Sequence, residues 1–220
     1  MKLNDLPIFK PLSDEDVKEI QGYVITESYR KKESIFSEGD SAEWLYIVQE
    51  GKVKITKLSQ DGKEIILELI HPEDVFGAIA VLKSFPYPAN AVAMENSKVL
   101  KISKQNLMRV LDRFPEVMSS FIGSLGERLR DSHETTKNIA LEKVSSRIAA
   151  LLLKLSEQMG TDTPDGREIG LKLTKQDIAE MVGTTVETSI RTMSRFKKDG
   201  TIIEKAGKII IVDPSGLEIL

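Results

Sequence analysis

Residues 173–200 read LTKQDIAEMVGTTVETSIRTMSRFKKDG. Thr174, followed three residues later by Asp177, is a helix start: a hydroxyl N-cap with an acid in the first turn. Ile178, Ala179 and Val182 form the apolar face of a short helix. Gly183 then breaks it, because glycine enters positive φ without steric cost. Thr184 or Thr185 caps a second helix whose apolar stripe is Val186, Ile190, Met193 and Phe196. Its other face carries Glu187, Arg191 and Arg195, with Lys197 and Lys198 at the end. Two short helices joined by a glycine turn predict a helix-turn-helix, which lays its second helix in the DNA major groove. A helical hairpin of another kind would share the pattern. Glu187, three residues after Thr184, is also placed to act as a capping-box partner rather than a base reader.

Downstream, Ile202-Ile203 and Lys208-Ile209-Ile210-Ile211-Val212 read as two short strands joined by Glu204-Lys205-Ala206-Gly207. A hairpin behind the second helix is a wing, and Lys205 and Lys208 on it can reach phosphates. The local charge agrees. Between Lys172 and Lys208, the cations Lys172, Lys175, Arg191, Arg195, Lys197, Lys198, Lys205 and Lys208 outnumber Asp177, Glu180, Glu187, Asp199 and Glu204. A positive face on a chain of net charge −3 fits a DNA module attached to something else.

Upstream, residues 160–170 read as a loop, and 115–159 as helical. Met118, Ile122, Leu125, Leu129, Ser132, Thr136 and Ile139 recur at spacings of four and three. Such a heptad seam suits a parallel pair of helices, the alternative being a helix packed on its own domain. The seam turns polar at Ser132 and Thr136. Before it, residues 29–102 are short β-branched and aromatic runs between glycine turns. Examples are Ser34-Ile35-Phe36, Trp44-Leu45-Tyr46-Ile47-Val48, Val53–Leu58 and residues 65–70, with turns at Gly39, Gly51 and Gly62. They predict an all-β barrel, roll or sandwich. Residues up to about 23 read as one or two short helices, with Ser13-Asp14-Glu15-Asp16 as an acidic start.

With 220 residues and a 40% hydrophobic fraction, the chain has material for real cores. It has no cysteine, which excludes disulfides, thiolate-held iron–sulfur clusters and a cysteine nucleophile. No apolar run reaches transmembrane length and residues 1–10 are no signal peptide, so a cytoplasmic protein with no membrane partner is expected. His71 and His133 lie in no metal-ligand or triad pattern. No catalytic residue and no metal site are assigned, and an enzyme is not expected.

The chain closely resembles the family of the cyclic-AMP receptor protein and the fumarate-nitrate reduction regulator. The resemblance is carried by Phe36-x-x-Gly39-Asp40, the Gly51 and Gly62 turns, Val75-Phe76-Gly77, Arg147-Ile148-Ala149 and LTKQDIAEMVGTTVETSIR. It implies an α+β chain: a cyclic-nucleotide-binding-like β-roll over 1–114, a dimerisation helix over 115–140 and a winged helix-turn-helix over 141–220. The implied function is that of a homodimeric, sequence-specific transcription regulator, with RNA polymerase as a partner. The rival reading is a sensor module whose winged helix docks a small molecule or a protein.

Within that resemblance Glu187 and Arg191 are the base readers. They lie four apart on one helix face, suited to cytosine N4 and to guanine O6 and N7. The half-site implied is TGA-type, in a palindrome. Val186 stands where the cyclic-AMP branch has an arginine, and Ile190 departs from both branches. Thr174, Lys175, Thr185, Arg195, Lys205 and Lys208 are the expected phosphate contacts. The family's ribose-holding glutamate and phosphate-holding arginine fall on Ala78 and Pro88, so cyclic AMP is not the expected effector. The expected effector pocket is apolar, formed by Ala78, Phe85, Tyr87, Pro88 and Ala89 with Ser132 and His133 from the helix. Haem on His133 is a further alternative that the resemblance carries.

Overall fold

The computed structural model describes residues 3–218, the side chain of Glu218 excepted. The chain divides into two compact units at 130/131, inside the long helix rather than at either of its ends.

In the first unit a 3-10 turn (Leu3–Asp5) precedes helix α1 (Asp14–Gln21). The start of α1 is a capping box: Ser13 Oγ accepts from the Asp16 N–H at 3.2 Å, and the Ser13 N–H donates to Asp16 Oδ2 at 3.4 Å. The strands are β1 (Val24–Tyr29), β2 (Ser34–Phe36), β3 (Trp44–Glu50), β4 (Val53–Leu58), β5 (Glu64–Ile70), β6 (Val75–Phe76), β7 (Asn90–Ala93) and β8 (Ser97–Ser103). They pair antiparallel as two four-stranded sheets, β1-β8-β3-β6 and β2-β7-β4-β5. The β-rich reading of residues 29–102 is thus met, with two corrections. The first strand begins at Val24, where VITESY pairs along its whole length with β8. Helix α2 (Ala78–Lys83) interrupts the strands after β6. Helix α3 (Lys104–Arg113) follows β8, with Ser103 accepting from the Asn106 N–H at 3.3 Å.

The core of this unit joins Leu6, Phe9 and Ile20 to Leu45, Ile47, Ile70, Phe76 and Ile102. Phe36, Tyr46, Phe76 and Tyr87 form an aromatic cluster, Phe36 stacking on Tyr87 with ring centroids 3.8 Å apart. Burial raises the phenol pKa of both Tyr46 and Tyr87, so both stay neutral at ordinary pH. Val117 and Phe121 of helix α4 (Pro115–Leu141) pack into the same core.

The second unit begins within α4. The helical stretch read to about residue 159 consists of two helices, α4 ending at Leu141 and α5 (Val144–Met159) following it, with Lys143 extended between them. Arg147 supports the break, its Nη1 donating to the Ile139 carbonyl at 3.0 Å and satisfying one of the orphan groups a helix end leaves. Residues 160–170 are not a loop: β9 (Gly160–Thr163) and β10 (Gly166–Ile169) form a hairpin. Helices α6 (Lys175–Val182) and α7 (Val186–Lys198), strands β11 (Ile202–Lys205) and β12 (Lys208–Ile211), and the short α8 (Pro214–Glu218) complete the unit. Its sheet has the order β11-β12-β10-β9. Ile148 and Leu152 of α5 are fully buried, as are Ile178, Met193, Phe196 and Ile202. Among the described residues no helix is long and apolar enough to cross a membrane.

Candidate nucleic-acid interface

The helix-turn-helix is built by local chemistry. Thr174 Oγ1 accepts from the Asp177 N–H at 3.0 Å while Asp177 Oδ2 accepts from the Thr174 N–H at 2.8 Å, closing the predicted capping box on α6. Gly183 ends that helix at φ 66°, in the left-handed region. Thr185, not Thr184, caps α7, accepting from the Thr188 N–H at 3.3 Å. Arg147 reaches this turn as well, with Nη2 3.4 Å from the Gly183 carbonyl.

The inward face of α7 differs from the predicted stripe. Met193 and Phe196 are buried as expected, but Ser189 takes the third inward position and Ile190 is 47% exposed. On a 3.6-residue repeat Ser189, Met193 and Phe196 share one side, and Ile190 falls outside it. The outward side carries Glu187, Arg191, Ser194 and Lys198, all exposed and spaced four, three and four apart. Ser194 is legible by that same spacing but absent from the sequence reading, which placed Lys198 at the end of this face. The Glu187 carboxyl lies below its usual range, held by its own backbone N–H and the Thr185 hydroxyl, with the Arg191 charge adding. It is an ionised acceptor beside a guanidinium, the pairing that complements cytosine N4 and guanine O6 and N7. Val186 is half-buried at the start of the same helix.

The wing forms as a two-residue hairpin. Lys205 pairs with Lys208 across Ala206 and Gly207, both at positive φ (51° and 77°), the turn geometry that matches strand twist. The expected phosphate contacts come with partners that sequence reading missed. Lys175 is paired with Glu204, which also holds Lys197 at 2.8 Å. Lys205 lies 2.5 Å from Asp165, and Lys208 lies 2.6 Å from Glu168. Partial burial pushes the Glu204 carboxyl up, but hydrogen bonds from Lys175 and Lys197 outweigh it and leave the group below its usual range. Arg195 is exposed, its guanidinium 5.7 Å from the centroid of the Phe196 ring.

The expected effector residues are placed less as foreseen. Ala78, Tyr87 and Ala89 are buried, at 4%, 3% and 5% exposure. The Tyr87 hydroxyl donates to the Trp44 carbonyl at 2.6 Å and accepts from the Trp44 N–H at 3.2 Å. These three side chains therefore belong to the β-domain core rather than to an open wall, because a stacked, hydrogen-bonded tyrosine fills its own space. Phe85 and Pro88 are exposed. Ser132 and His133 are exposed on α4, in the second unit, and the Ser132 carbonyl accepts from Thr136 Oγ1 at 2.8 Å. Of the expected seam, Ile122 and Leu129 are 61% and 58% exposed, whereas Met118 and Leu125 pack partly on the core. Among the described residues no group of three or more His, Cys, Asp or Glu side chains is gathered to hold a metal.

Two family matches divide the chain along the same lines. Residues 26–114 match the cyclic nucleotide-binding domain and residues 146–220 the Crp-like helix-turn-helix domain. The Anaerobic regulatory protein of Bacillus subtilis is 30% identical over 207 residues, covering 90% of this chain and 87% of that protein. The Cyclic AMP receptor protein of Thermus thermophilus is 27% identical over 212 residues, covering 96% and 95%. The solved structure of FixK2 from Bradyrhizobium japonicum superposes with a TM-score of 0.78 at 26% identity, covering 90% and 96%. The chain therefore belongs to the Crp/Fnr family, and it is a DNA-binding transcription regulator.

Proposed function

We propose that this regulator works as a cytoplasmic homodimer, reads a palindrome of TGA-type half-sites about one helical turn apart, contacts RNA polymerase, and answers to an effector other than cyclic AMP. The observation that carries the reading is the outward face of α7, where ionised Glu187 and Arg191 stand exposed one turn apart. Val186 and Ile190 flank them with apolar surface suited to a thymine methyl. Thr174, Lys175, Thr185, Arg195, Lys205 and Lys208 supply the phosphate contacts. The dimer seam runs through Met118, Ile122, Leu125, Leu129, Ser132 and Thr136, with Ile122 and Leu129 as its free apolar side chains.

Cyclic AMP is set aside because Ala78 and Pro88 stand where the family's ribose- and phosphate-holding residues stand. The exposed Phe85 and Pro88 suit an apolar or aromatic molecule. His133, exposed on α4, is the polar residue whose replacement by alanine tests the response.

The deciding experiment selects binding sites from a random duplex pool with the parent and with Arg191→Ala. The variant should lose roughly 1–3 kcal/mol and relax preference at the guanine alone. Equal loss at every position would assign Arg191 to phosphate positioning and remove the base-reading role. Titration with cyclic AMP on the selected site should leave affinity unchanged, and a tightened complex would refute the effector reading.

A further inference from the structure

The lysines of the wing region do not stand free. Glu168 on β10 is opposite Ile210 on β12, which sets Lys208, two residues earlier on β12, diagonally across from it on the same face. The resulting contact is 2.6 Å, with side-chain exposures of 36% for Lys208 and 25% for Glu168. Asp165, in the turn between β9 and β10, meets Lys205 at the end of β11. Glu204 on β11 sits between Lys175 at the start of α6 and Lys197 near the end of α7. Three carboxylates thus hold four cations.

Sequence-independent DNA affinity rests on cations that displace the counterions of phosphates, and its logarithm falls with log salt by about 0.9 per phosphate neutralised. A lysine already paired with a carboxylate brings little net charge to the duplex, and moving it onto a phosphate leaves the carboxylate behind, close to the polyanion. Exposed ion pairs are weak, so such exchange remains open to a phosphate.

We infer that Asp165, Glu168 and Glu204 limit the sequence-independent part of DNA binding and its salt dependence, by neutralising Lys205, Lys208 and the Lys175–Lys197 pair in the free protein. The role is distinct from base reading by Glu187 and Arg191. It rests on the reading of those lysines as phosphate contacts.

The test is a salt series on the full chain with a random-sequence duplex, from about 50 to 200 mM, the range over which the counterion term is large. Lys205→Gln and Lys208→Gln come first and should each flatten the slope. If they do not, the lysines touch no phosphate and the inference falls with that reading. Asp165→Asn and Glu168→Gln should each steepen the slope by about 0.9 and raise random-duplex affinity near 0.1 M salt roughly three- to eightfold. Asp61→Asn, which removes an exposed carboxylate paired with Lys63 in the β-domain, should leave the slope as it was. Lysine variants that flatten the slope while the acid variants leave it unchanged would overturn the inference and spare the phosphate contacts. A steepening equal in Asp61→Asn would reduce the effect to net charge and overturn it as well. Glu204→Gln also unties α6 from α7, so it is read beside a thermal melt, and Asp165→Asn and Glu168→Gln decide the outcome.

Discussion

Arg128 on α4 is bound to Glu68 on β5, its Nη2 2.5 Å from Glu68 Oε2, while its Nη1 donates to the Val75 carbonyl at 2.8 Å. One guanidinium thereby ties the long helix to two strands of the β-domain. Arg128→Ala leaves a half-buried carboxylate and a carbonyl without this donor. Both side chains are about a third exposed, so solvent screening limits the loss to about 1 kcal/mol. Arg128→Lys restores the charge but not the two-pronged geometry, and should recover less than half. Urea midpoints of the three proteins check this. A midpoint for Arg128→Ala equal to the parent's would show the contact has no net weight.

Leu129→Asp and Ile122→Asp should convert the proposed dimer to a monomer. Both side chains are mostly exposed in the single chain, so the fold does not depend on them, whereas a paired seam would bury an unpaired charge at a cost of several kcal/mol. Sedimentation equilibrium reads the outcome beside a circular dichroism spectrum. A variant that sediments as the same dimer as the parent removes α4 from the interface.

Gly51 and Gly62 both turn at positive φ (87° and 78°), yet only one is hemmed in. A Cβ on Gly51 would lie 2.3 Å from Ser97 Oγ and 2.8 Å from the Asn96 carbonyl oxygen, while one on Gly62 would meet nothing within 4 Å. Gly62→Ala should cost only the left-handed backbone penalty, about 1–2 kcal/mol. Gly51→Ala should cost roughly 2–4 kcal/mol, since the close-packed Ser97 turn must also shift. Chemical denaturation of the pair tests the ranking, which equal losses would refute.

Acid stability should fall through Glu27. Its hydrogen bond from Lys101 at 2.6 Å, helped by the Tyr29 hydroxyl at 2.9 Å, outweighs partial burial and holds its carboxyl below the usual carboxylate range. A depressed carboxyl contributes stability above its unfolded value and loses it as pH falls through its folded one. Glu27→Gln should therefore lower stability slightly at pH 7 and flatten the decline as pH falls through and below the usual carboxylate range. Thermal melts across that window decide it. Parallel curves for parent and variant would assign the acid loss to other groups.

How far the sequence reached can be judged residue by residue. The cap at Thr174, a second cap at Thr184 or Thr185, the break at Gly183 and the exposed pair Glu187 and Arg191 were legible because helix starts and stops depend on neighbours within four residues. The β texture of 29–102 was legible too, since alternation with glycine turns is a local signal. Ile190 was misplaced because an apolar residue near a helix face counts toward a stripe until the packing partner fixes where that face points. Here the small Ser189 takes the inward position and leaves Ile190 outside.

The tertiary structure alone decided the remainder. Residues 160–170 carry no run of alternating apolar side chains, and β10 is extended because β12 supplies its second edge, Arg167 facing Ile211 and Glu168 facing Ile210. The same pairing brings Glu168 to Lys208 and Asp165 to Lys205, each across forty positions of chain. A count of charge along the sequence finds the lysines of the wing in surplus. Their carboxylates lie outside any local window, and a Coulomb partner is set by distance in space, which only the closed sheet fixes.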